Sequence, residues 1–173
     1  MLRLRVREMQ DKKYKSGFSL IEVMIAILLI GLAIAALMAS NIAFTKANGA
    51  GTDLSTAEFL IEQIRELTML LPVVDPNTED ATFGPEDGET LANYNDLDDF
   101  DGLPPFSPPI NANRLPLNDL AAYSQQVTVE KVNPSNFEQV EADTFNSSFV
   151  RVTVRVYLNS KEITSASWLR ARY

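Results

Sequence analysis

The sequence predicts an α+β protein in which a long N-terminal helix lies against a small antiparallel sheet. Three observations predict it: an apolar run near the N-terminus, an amphipathic helical stretch after it, and a C-terminal third in which valines alternate with polar residues. At 173 residues the chain has room for one modest globular domain besides such a run.

The first element is a basic leader over residues 1–17, where six Lys/Arg stand against two acids, while the remaining chain holds nine bases and 21 acids. The acidic remainder is unsuited to nucleic acid, which needs clustered Lys/Arg to displace counterions, so no such partner is expected. Cysteine and histidine are both absent. Disulfides, thiolate metal sites and imidazole catalysis are therefore excluded, and no enzyme activity is expected. A membrane-tethered hydrolase would have to work from paired carboxylates on one loop, from which no acid–base constellation follows.

The second element is a membrane or assembly helix over residues 18–46. From Phe18 to Phe44 the only charged residue is Glu22, and Val23–Phe44 alone spans about 33 Å as a helix, against a hydrocarbon core of roughly 30 Å. A cleaved secretory signal has a shorter apolar region, about 7–15 residues. Arg3, Arg5, Arg7, Lys12, Lys13 and Lys15 precede the run, which predicts a single pass with the N-terminus cytoplasmic and the C-terminal domain across the membrane. Glu22 is the anomaly, because an acid at the centre of an inserted helix costs about 2.5–3.5 kcal/mol. Solvation at headgroup level is the plain alternative to a functional role.

The string Lys15-Ser16-Gly17-Phe18-Ser19-Leu20-Ile21-Glu22-Val23-Met24-Ile25-Ala26 closely resembles the type IV prepilin signature, over roughly residues 12–45. In that family a dedicated peptidase cuts after the glycine and methylates the new N-terminal Phe. The resemblance implies cleavage between Gly17 and Phe18, N-methylation of Phe18, and an assembly role for Glu22 opposite a neighbouring subunit's terminal ammonium. It also implies a pilin-like fold, with prepilin peptidase, other pilin subunits and the inner-membrane assembly platform as partners. The chain would begin in the bacterial inner membrane and end in a periplasmic or cell-surface filament. Many major pilins carry a helix glycine and a later proline; Gly31 fits the first, but Ala39 stands at the second. A minor pilin or pilin-like subunit, acting in adhesion, motility or pilus biogenesis, is the leading reading. The alternatives are a pseudopilin of a type II secretion system and a singly anchored extracytoplasmic binding protein or adhesin.

The third element, residues 47–72, reads as an amphipathic helix. Asn48-Gly49-Ala50-Gly51 is a break signal, and Ser55-Thr56-Ala57-Glu58 has the form of a capping box, so two helices or one flexed helix both fit. Phe59, Leu60, Ile64, Leu67 and Leu71 fall near one stripe, and Pro72 is the expected stop.

The globular domain, 73–173, opens with an acidic, proline-rich loop over 73–118. Ten acids and no base lie between Asp75 and Asp101. Asp96, Asp98, Asp99 and Asp101 form a cluster of hard oxygens that makes calcium a candidate ligand, although the spacing is not that of an EF-hand. A solvated acidic turn is the plain reading, and no cofactor is expected otherwise. This Asp-rich turn with its aromatic also resembles that of minor pilins of the mannose-sensitive haemagglutinin type. The sheet occupies 119–173: strands are predicted at Ser124–Val132, Phe149–Leu158 and Glu162–Arg172, with a hairpin turn at Asn159-Ser160. Arg151, Arg155, Arg170 and Arg172 are placed on the face away from the helix.

Overall fold

A computed structural model describes residues 17–73, 75 and 83–172. Of the basic leader only Gly17 lies within them, and part of the acidic loop lies outside. The chain divides into two compact units, on either side of the Ala47–Asn48 junction.

One helix, α1, runs from Leu20 to Thr68. Its start is an N-cap: the Ser19 hydroxyl accepts a hydrogen bond from the Glu22 backbone N–H at 3.2 Å. Ser19-Leu20-Ile21-Glu22 thus has the capping-box spacing at the true start, whereas Ser55–Glu58 lies inside the helix. The helix also passes through Gly49 and Gly51 without ending. Two glycines cost about 2 kcal/mol in helix propensity, less than opening a chain that is helical on both sides.

In the second unit α1 buries Ala57, Leu60, Ile61, Ile64 and Thr68. Phe59, expected in that stripe, is exposed, and Ile61 takes its place. The reason is angular: at 100° per residue position 59 turns off the line through 57, 60, 64 and 68, while 61 flanks it. The helix ends at Thr68, before Pro72 is reached. Arg170 meets this end: its guanidinium donates to the carbonyl of Thr68, the last helical residue, at 2.8 Å and to that of Leu71 just beyond at 2.9 Å. Arg170 therefore reaches to the helix end, contrary to its expected place on the outer face.

The sheet has four described antiparallel strands in the order β2-β1-β3-β4: β1 Tyr123–Asn133, β2 Asn136–Val140, β3 Phe149–Leu158 and β4 Lys161–Ala171. The three predicted strands are present. The fourth, β2, is exposed along its whole length, so it shows no one-sided apolar pattern to read. Asn159 and Ser160 both have positive φ, at 49° and 65°, which gives the β3–β4 hairpin the handedness of a type I′ turn.

Val127 and Val129 pair with Val154 and Val152 in register, and with Val150 and Val156 they face Leu60 and Ile64 in the core. Leu97, Phe100 and Ile110 from the connecting loop complete it. Buried Gln125 joins the three layers: its amide donates to the Leu60 and Ile110 carbonyls, and its oxygen accepts from the Ile110 N–H. The other sheet face carries the Arg151–Glu130 ion pair at 2.9 Å.

Candidate functional sites: the N-terminal junction and the acidic turn

Gly17, Phe18 and Ser19 precede the first turn of α1. Among the described residues a Cβ placed on Gly17 would meet nothing within 4 Å, and Phe18 is 84% exposed. The peptide bond between them is sterically open. Glu22 lies in the first helical turn and is exposed, where its carboxylate is compatible with the positive end of the helix dipole. Every residue from Gly17 to Thr52 is exposed. The apolar residues of this stretch cover all sides of the helix, and α1 is long and apolar enough to cross a membrane.

The second site is the turn ahead of β1. Leu97 and Phe100 anchor it in the core, and the Leu97 N–H donates to the Pro72 carbonyl at 2.9 Å. Between these anchors Asp98–Phe100 forms one 3-10 turn. Asp96 and Asp99 brace it reciprocally: the Asp96 carboxylate accepts from the Asp99 N–H, and the Asp99 carboxylate accepts from the N–H groups of Asn95 and Asp96. Asp96, Asp98 and Asp99 are at most 2% exposed, which rules out a solvated turn. They are carried inward because the apolar residues between them must be.

One carboxylate oxygen each from Glu86, Asp96 and Asp99 lies within 4.8 Å of the other two. Asp98 stands within hydrogen-bonding reach of Asp96. Asp101 does not join the group; its carboxylate instead accepts from the Val129 N–H at 2.8 Å and fastens the turn to β1. Glu86 was absent from the sequence expectation. The chain between it and the cluster bends back through Gly88, at φ 94°, a closure that spacing along the sequence does not reveal.

Burial, and after it the charge of Asp98, pushes the Asp96 carboxyl up to about 8. Burial pushes Asp98 up to about 6, against hydrogen bonds from Asp96, its own backbone and Gly84 that hold it down. Asp99 and Asp101 are raised by burial as well, and the Tyr94 phenol by burial and the charge of Asp99. Among the described residues neither ion pair, Arg65–Glu62 or Arg151–Glu130, involves this turn.

Residues 12–38 match the family model described as the prokaryotic N-terminal methylation motif. No curated protein and no solved structure is a significant match to the chain. The matched stretch contains Gly17, Phe18 and Glu22, so the open junction at the head of α1 and the motif coincide. This N-terminal stretch is prepilin-like, and its motif implies processing by prepilin peptidase. Together with the hydrophobic helix, the motif suggests membrane anchoring.

Proposed function

We propose that the protein is a type IV prepilin, processed to a minor pilin or pilin-like subunit that enters or primes an extracytoplasmic filament. The observation that carries this reading is the methylation motif placed directly ahead of a helix whose apolar surface is exposed on every side. Prepilin peptidase would hydrolyse the Gly17–Phe18 bond and methylate the freed amino group of Phe18. The six Lys/Arg of the leader favour a cytoplasmic N-terminus, which places the acidic domain outside the cytosol. Prepilin-like proteins are generally structural, and in this reading the partners are other pilin subunits and the inner-membrane assembly platform.

Glu22 fits such an assembly. In an apolar filament core the methylated ammonium of one subunit and the Glu22 carboxylate of another each supply the charge that the other lacks. Desolvation offsets much of that attraction, so the pair serves chiefly to set the stagger between subunits. The Asp-rich turn with Phe100 supports, within this reading, a minor pilin of the mannose-sensitive haemagglutinin type.

Intact-mass and N-terminal analysis of the chain from its native host, with and without the peptidase, tests the proposal. A mature chain beginning at methylated Phe18 only in the peptidase-positive strain is the expected result. Retention of Met1 in both strains would instead support a singly anchored binding protein. Loss of surface filaments on deletion favours the pilus, and a secretion defect with filaments intact favours a type II pseudopilus.

A further inference from the structure

We propose that Glu86, Asp96 and Asp99 hold one calcium ion in the turn between α1 and β1. Acids gathered in a loop do not by themselves make a site, since a solvated turn carries them at little cost. Here the acids are not solvated. Five buried side-chain oxygens, one each on Glu86, Asn95, Asp96, Asp98 and Asp99, accept no hydrogen bond from any described residue. Asp96, Asp98 and Asp99 are themselves at least 98% buried. A buried oxygen without a donor costs about 1–3 kcal/mol, more when charged, and neighbouring carboxylates add mutual repulsion. A cation held by the Glu86, Asp96 and Asp99 carboxylates relieves both penalties there.

The donor set and its spacing select the ion. Without His or Cys anywhere in the chain, only oxygen ligands are available, which favours hard cations over zinc, copper or iron. Oxygens around one calcium at about 2.3–2.6 Å lie no more than roughly 5 Å apart, and the Glu86, Asp96 and Asp99 oxygens fall within 4.8 Å. Magnesium demands a near-ideal octahedron and gives up its waters reluctantly, whereas three carboxylate oxygens gathered within 4.8 Å in a water-poor turn suit the more adaptable calcium.

The ion would be a structural clasp. The same turn inserts Leu97 and Phe100 into the core, is tied to Pro72 just past the end of α1, and is tied to β1 through Asp101. Calcium binding is therefore linked to closure of the domain, and free calcium raises its stability by mass action. None of this depends on processing or filament assembly.

The test uses the full chain in detergent, freed of metal with a chelator, followed by calorimetric titration and thermal unfolding with CaCl2 and, in parallel, MgCl2. One calcium per chain is expected, with Tm raised by roughly 5–10 °C at about 100 times Kd. Glu86→Gln and Asp96→Asn each weaken binding by about tenfold or more. Each melts at or above the parent in chelator, because a buried carboxyl without a cation has been replaced by a neutral amide, and below it in calcium. That crossover separates a ligand role from simple loss of fold. The proposal is overturned if calcium at about 10 mM, above the range of weak extracellular sites, gives neither heat nor a Tm shift. It is also overturned if both variants bind calcium as the parent does. An equal response to magnesium would overturn the assignment to calcium.

Discussion

The two ends of α1 are built on opposite rules. From Leu20 to Ala47 every residue is exposed, and large apolar side chains point to all sides; from Asn48 to Thr68 the buried residues are confined to one stripe. A stripe is what a helix needs when the sheet of its own chain covers it. An all-round apolar surface finds no such cover here and calls for a bilayer or other subunits. One unbroken helix therefore carries two hydrophobic patterns, one satisfied within the chain and one outside it.

The largest expected effect lies at the head of the uncovered half. Gly17→Trp should abolish conversion of the precursor to the mature chain, seen as a single unprocessed band, while the domain's circular dichroism is unchanged because a Cβ there meets none of the described residues. Glu22→Ala should leave cleavage intact and lower the mutant's share of sheared filaments by about tenfold, the equivalent of ~1.4 kcal/mol per assembly step. Normal incorporation would remove the pairing role and weaken the contrast between the halves.

Next comes a matched pair of truncations along the helix. Leu60→Ala should destabilise the domain by about 2–5 kcal/mol in urea unfolding of the full chain in micelles, since Leu60 is fully buried between helix and sheet. Leu28→Ala, at an exposed position, should change the same measurement by less than about 0.5 kcal/mol. Similar costs at both positions would contradict the division described here.

Arg170→Ala tests the C-terminal end of the covered half. Removing a cation that serves the Thr68 carbonyl at the helix end and the Leu71 carbonyl just beyond it should cost about 1.5–3 kcal/mol, with the loss appearing first as faster amide exchange around residues 65–71. The smallest effect belongs to the glycines near the junction. Gly51→Ala has open space for its Cβ and should stabilise the helix there by up to about 1 kcal/mol, read as slower amide exchange over residues 48–55.

Much of the fold was legible because its signals are periodic. Strands β1 and β3 alternate apolar and polar residues since one face is buried, and Asn159-Ser160 has the chemistry of a tight hairpin turn into β4. β2 lies on the sheet edge with every residue exposed, so burial left no imprint on its sequence. Asn48–Gly51 left two helices or one flexed helix open, because two glycines weigh against helix locally while long helical segments on both sides outweigh them.

The acidic turn was legible only in part, and the reason is burial. Its aspartates were visible as a cluster, but their removal from water depends on Leu97 and Phe100 entering the core, which no local pattern announces. Glu86 joins them through a bend at Gly88, Asp101 leaves them for β1, and Arg170 crosses from β4 to the end of α1. The sequence by itself determined the leader's charge, the methylation motif, the apolar helix and the alternating strands, because each depends on composition or spacing along the chain. Only the tertiary structure decided which acids lose their water and which carbonyls find a cation, because desolvation and hydrogen bonding depend on groups that are distant in sequence and adjacent only once the core has formed.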